Sequence, residues 1–148
     1  MLRVLDIDDD GESIFHRMPV VNSVEVLSVK NFVPPIDLSQ YTNLTELLLY
    51  VPMNDENVFD ISYTENLSSL RKLSIRGNIS DENLRQVSEY PSLTSLTILS
   101  NVISETGLNW LSSLTTLQEL QIHTLTITRD RYNSLLTSLN LEPLPEIQ

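Results

Sequence analysis

One spacing recurs along this chain and decides what it can become. An apolar residue is followed by two free positions, a second apolar residue, one free position and a third apolar residue. The triplet stands at Leu2-Leu5-Ile7, Val24-Leu27-Val29, Leu44-Leu47-Leu49, Leu70-Leu73-Ile75, Leu93-Leu96-Ile98 and Leu117-Leu120-Ile122, and a weaker seventh copy begins at Leu141 and Leu144. The starts are spaced almost evenly over the whole chain of 148 residues. A short period of this kind marks a repeat architecture, because so small a unit has no core of its own and must stack on its neighbours.

Within a unit the apolar pattern changes period. Leu96 and Ile98 alternate with Thr97, as residues of a strand do. Ile103, Leu108, Leu111 and Leu114 then recur at the spacing of a short helix or 3₁₀ segment. Each unit reads as strand, turn and short helix, and stacked units bury a continuous core between a strand layer and a helix layer. The apolar composition agrees. The chain has 26 Leu, 11 Ile and 11 Val but no Ala, the strongest helix former, so a bundle of ordinary helices is a poor fit.

These units resemble leucine-rich repeats, whose pattern is L-x-x-L-x-L-x-x-N followed by a convex segment. The resemblance covers nearly the whole chain, and its strongest copy is LTSLTILSNVISETGLNWLSSLTT, residues 93–116. IDLSQYTNLTELLL resembles internalin-type bacterial repeats. ISETGLNWLSSLTTLQELQI is similar to the repeats of bacterial effectors and F-box adaptors, and LRVLDI to an early repeat of plant intracellular immune receptors. These fragments leave the lineage open. The resemblance implies an α/β solenoid, a horseshoe with a parallel sheet on its concave side and short helices or 3₁₀ segments on its convex side. It also implies protein binding through the concave side, and a buried turn Asn that satisfies the backbone leaving each strand. Only Asn78 and Asn101 stand at that position; Asp10, Phe32, Pro52 and Leu125 occupy the other four, and their turns must be satisfied by other means. Such irregularity suggests uneven curvature. Pro34-Pro35 predicts an extended convex segment in the second unit, and the longer third unit has room for a helix over Asp55 to Tyr63, capped by Asn54 or Asp55.

No linker or low-complexity tract divides the sequence, so residues 1–148 are expected to form one solenoid domain. A final helix is predicted over Asp130 to Leu139, with Pro143 and Pro145 stopping further sheet growth at a cap near Leu141. At the other end the first strand begins at once. Solenoid ends need covering. That leaves three readings: a chain cut from a longer one, an edge defended by Asp6, Asp8, Asp9 and Asp10, or edge-strand pairing between two copies.

Charge narrows the partners. Nine basic and 20 acidic side chains give a net charge of −11. Nucleic acid and anionic membranes would be repelled. No apolar run reaches the roughly 20 residues of a spanning helix, so membrane insertion is not expected. MLRVLDIDDDGE lacks the regions of a secretory signal. The absence of Cys removes disulfides, thiol nucleophiles and thiolate metal sites, and permits a reducing compartment. The expected location is cytoplasmic, or the host cytosol for a secreted bacterial effector.

The free positions of the strand triplets should face outward along three lines that cross the sheet. The first line is Val4, Val26, Glu46, Lys72, Ser95 and Glu119. The second is Asp6, Ser28, Leu48, Ser74, Thr97 and Gln121, and the third is Asp8, Lys30, Tyr50, Arg76, Leu99 and His123. Seven strands would make this face roughly 30 Å wide. It begins acidic, becomes apolar at Leu48 and Tyr50, basic at Lys72 and Arg76, and mixed at Leu99, Glu119, Gln121 and His123. An aromatic beside a Leu with cations nearby is the composition of a binding hot spot, although isolated surface apolars are also common.

Other motifs carry less. Asp6-Ile7-Asp8-Asp9-Asp10-Gly11 resembles the opening of a calcium-binding EF-hand loop, but that loop needs a bidentate Glu where Arg17 stands, so a repelling acidic edge or a contact for a basic partner is the simpler reading. His16 and His123 are the only His, there is no G-x-S-x-G elbow, and three Gly in all make no phosphate loop. Gly77 has a sufficient reason in the tight turn beside Asn78. Trp110 is expected to pack over a neighbouring helix, and the N-x-S/T sequences at Asn43, Asn66 and Asn78 read as coincidence. The sequence thus predicts a non-enzymatic protein-binding module that needs no cofactor or metal. The alternative is an adaptor, effector or immune-receptor fragment whose catalytic or ligase-recruiting part lies elsewhere.

Overall fold

A computed structural model describes residues 3–8, 22–31, 38–53 and 67–143. Six strands form one parallel sheet in sequence order: β1 (Val4–Asp8), β2 (Val26–Lys30), β3 (Glu46–Tyr50), β4 (Lys72–Arg76), β5 (Ser95–Leu99) and β6 (Glu119–His123). Every adjacent pair is aligned without slippage, so that Leu5, Leu27, Leu47, Leu73, Leu96 and Leu120 are mutual neighbours along one line and Ile7, Val29, Leu49, Ile75, Ile98 and Ile122 along the next. A one-residue slip would turn an entire strand inside out, and the buried line therefore fixes the register.

The inward side chains make one hydrophobic core, with Leu27, Leu47, Leu49, Leu96 and Ile98 fully buried. Between units, Tyr41, Leu67, Tyr90 and Leu114 add a second buried layer, each just ahead of the next repeat start. Each lies in a turn closed by a backbone hydrogen bond across three residues: Leu44 N to Tyr41 O, Leu70 N to Leu67 O, Tyr90 N to Val87 O and Leu117 N to Leu114 O.

Among the described residues three helices lie opposite the sheet: α1 (Asp81–Val87), α2 (Glu105–Leu111) and α3 (Arg129–Ser138). Ser80, Ser104 and Thr128 cap them, each accepting from the main chain of the first turn, which satisfies donors that have no partner inside the helix. Asp81 also reaches from α1 to the cap of α2, its carboxylate accepting from the Ser104 N–H at 2.9 Å and from the Ser104 hydroxyl. Gly107 permits that approach: a Cβ there would overlap Asp81 Oδ1 and stand 2.9 Å from Leu84 Cδ1. Gly77 has φ +155°, and a Cβ at that position would meet Val51 Cβ at 2.9 Å, so both the turn and the close neighbour require glycine.

The described sheet has six strands, about 24 Å across. The strand of a seventh copy starting at Leu141 would fall at 143–147, and residues 144–148 lie outside the described residues. One expectation needs correction. Among the turn Asn residues only Asn78 is buried; its Oδ1 accepts from Asn101 N at 3.3 Å, while Asn101 itself is exposed. Buried Ser100 takes the inward place in that turn, its Oγ accepting from Ile79 N at 3.2 Å. Trp110, on α2, is 45% exposed. The proposed segments at Pro34-Pro35 and Asp55 to Tyr63, with the turn residues Asp10 and Phe32 and with Asn66, lie outside the described residues.

The final helix falls where the sequence places it, within a residue at either end. It also covers the sheet edge. On β6 the groups of Glu119 and His123 bond to β5 and its flanks, so in a parallel ladder Leu120 and Ile122 direct theirs to the outer side. The Tyr132 hydroxyl meets the first of these, donating to Leu120 O at 2.7 Å. The phenol thus supplies a donor that a further strand would otherwise bring.

Candidate concave binding face

The strand register brings the outward positions into the three lines the sequence gives. Lys30, Tyr50, Arg76, Leu99 and His123 are direct neighbours in succession along the third line. Glu46 lies beside Lys72, and Leu48 between Ser28 and Ser74. Leu48, Tyr50 and Leu99 are half-buried rather than fully exposed, because side chains on adjacent strands about 4.8 Å apart shade one another. Arg76, Lys72, Glu119, Gln121 and His123 are exposed.

The acidic end of this face is internally engaged. Lys30 Nζ lies 3.4 Å from Asp6 Oδ2. A hydrogen bond from Ser28, with the Lys30 charge assisting, lowers the Asp6 carboxyl below its ordinary pKa. Asp8 accepts from the Asn31 side-chain amide at 2.8 Å. Farther along, Ser95 Oγ donates to Glu119 at 3.1 Å. The cations of β4 differ: among the described residues no carboxylate comes within ion-pair distance of Lys72 or Arg76.

A hollow of about 430 Å³ opens at the C-terminal ends of β2, β3 and β4, lined by Lys30, Asn31, Tyr50, Arg76 and the segment Val51-Pro52-Met53. The sequence reading identifies Lys30, Tyr50 and Arg76 and misses the other four. Asn31 follows its strand with φ 56°, a left-handed conformation that Asn tolerates better than most residues, so an Asn directly after a strand was the available signal.

His123 stands beside Leu99 across the sheet, as expected. Among the described residues no group of His, Cys, Asp or Glu side chains could hold a metal. Asp9, Asp10, Gly11 and Arg17 of the calcium-like motif, and His16, lie outside the described residues. No described helix is long and apolar enough to cross a membrane.

No protein-family model and no curated protein matches the sequence. Among solved structures, internalin C2 from Listeria monocytogenes is similar at 25% sequence identity and a TM-score of 0.52, over 80% of this chain. The chain spans about half the length of that protein, 49%.

Proposed function

We infer that this leucine-rich-repeat solenoid is a non-enzymatic module that binds a protein partner across its concave sheet. The observation that carries the reading is the third line, where half-buried Tyr50 sits between Lys30 and Arg76 at the rim of the hollow, with Leu99 alongside. An aromatic whose hydroxyl bonds to none of the described residues, flanked by long cationic side chains, offers apolar area and directed hydrogen bonds together. The strands beneath are held by an unbroken ladder and a full core, so little freedom is lost when a partner docks. Glu46, Leu48, Lys72, Glu119, Gln121 and His123 extend the contact surface around that centre, with Asp6 and Asp8 at its acidic border. The likeness to an internalin supports a protein-interaction role.

The test is quantitative affinity capture with three baits: the unaltered chain, a Tyr50→Ala/Arg76→Ala double variant, and a convex-side Trp110→Ala variant. Proteins lost by the double variant and retained by Trp110→Ala are the expected result. Capture that is equal for all three, or lost only with Trp110→Ala, overturns the concave reading.

A further inference from the structure

Resting on the concave-face reading, we propose that the partner presents an acidic segment in extended conformation, laid along the third line with carboxylates spaced to meet Lys30 and Arg76 together. In a chain with 20 acidic residues and a net charge of −11, this line from β2 to β6 contains no acid at all: it runs Lys30, Tyr50, Arg76, Leu99, His123. The acids of the same five strands, Glu46 and Glu119, are confined to the first line at the opposite ends of the strands. Asp8, which would head the third line on β1, is held by Asn31. Arg76 has no ionic partner among the described residues, and the Asp6 pairing of Lys30 is a single exposed contact at 3.4 Å, of a kind that contributes little and exchanges readily.

The spacing of the line sets the spacing of the ligand. Lys30 and Arg76 are two strands apart, about 10 Å. An extended chain advances about 3.3 Å per residue, so carboxylates three residues apart would meet both cations. The residues between them would lie over Tyr50 and the hollow floored by Val51 and Met53, which favours an apolar side chain there. A polyanionic nucleic acid would face the same two cations but also the repulsion of the whole surface, so an acidic peptide is the better fit.

Panning a phage-displayed library of random dodecapeptides against the folded chain tests this directly. The expected outcome is enrichment of Asp or Glu pairs three residues apart with an apolar residue between them. Resynthesised peptides should bind more weakly as salt rises, should lose about tenfold or more in affinity to Arg76→Glu, and should bind Trp110→Ala normally. Enrichment of basic or neutral sequences, no enrichment, tighter binding of an oligonucleotide, or indifference to Arg76→Glu overturns the proposal. If protein capture still depends on Tyr50 and Arg76 while panning fails in any of these ways, the concave module stands and its partner is not acidic.

Discussion

The Tyr132 hydroxyl on α3 donates to the main-chain carbonyl of Leu120 at 2.7 Å, and so joins the last helix to the outer edge of the last strand. Open edges invite pairing with other chains, and this contact occupies one of the groups such pairing would use. Tyr132→Phe keeps the ring and removes the bond. It should destabilise the domain by about 1–2 kcal/mol, since a partly buried carbonyl loses its partner. Urea unfolding should show a lower midpoint with an unchanged slope.

Alkaline pH should weaken the fold through the same side chain. Burial raises the Tyr132 phenol above its ordinary value near 10, with the Ile122 N–H opposing in part, and burial alone raises Tyr41. Below about pH 10 both phenols are protonated in the folded and the unfolded chain. Above it the unfolded chain releases its protons first. The folded state then holds more protons, so stability falls as pH rises. Urea midpoints measured from pH 8 to 11 should decline at the alkaline end, less steeply in Tyr132→Phe and in Tyr41→Phe; parallel curves for all three proteins would contradict this.

Gly107 tests the convex ladder. Alanine in a helix normally stabilises by up to about 1 kcal/mol relative to glycine. Here its Cβ would fall on Asp81 Oδ1, and Asp81 could move only by releasing Ser104. Gly107→Ala should therefore destabilise by about 1–3 kcal/mol. In an Asp81→Ala background only the contact with Leu84 Cδ1 remains, so the same change should cost clearly less. That reduction in a double-mutant cycle separates the clash with Asp81 from a general dislike of substitution.

The parts of this fold legible in the sequence are those set by periodicity. The triplet places Leu47 beside Leu73 and Tyr50 beside Arg76 because a period of two allows only one register with every apolar residue inside. The last helix is equally legible, within a residue at either end; the caps Ser80, Ser104 and Thr128 are evenly spaced along the chain, but the apolar spacing alone does not mark them. What periodicity does not set is the choice between adjacent groups. Ser100 and Asn101 compete for one inward place, and the outcome depends on Asn78 in the preceding turn, which already accepts from the Asn101 N–H. Tyr132 was hidden for a different reason. It stands one repeat length after Leu108 and so occupies an ordinary helix core position; its hydroxyl acquires a role because no described strand pairs with the outer side of β6. Likewise, the half-burial of Leu48 and Tyr50 comes from side chains on neighbouring strands, which the linear sequence holds a whole repeat apart.

Ser100 makes the turn argument measurable. Its Oγ accepts from the Ile79 N–H at 3.2 Å in a buried setting. Ser100→Ala leaves that N–H without this partner and should cost about 1–3 kcal/mol. Asn101→Ala, an exposed position, should cost less through its side chain despite holding the repeat's conventional Asn place. Equal losses in thermal or urea unfolding would return the structural role to Asn101.

The concave face makes the opposite prediction. Tyr50 and Arg76 lie on the solvent side of the sheet, and Arg76 has no ion pair among the described residues to lose. Arg76→Ala should therefore change stability by no more than about 0.5 kcal/mol. Half-buried Tyr50→Ala should cost more, about 1 kcal/mol, because ring area against the neighbouring strands is lost. Leu47→Ala, on the same strand as Tyr50 but facing the core, should cost about 2–5 kcal/mol. This ordering matters for function: if Arg76→Ala were as damaging as Leu47→Ala, Arg76 would be part of the scaffold and any loss of binding in the double variant would report unfolding. Urea unfolding of the three single variants under one set of conditions distinguishes the cases.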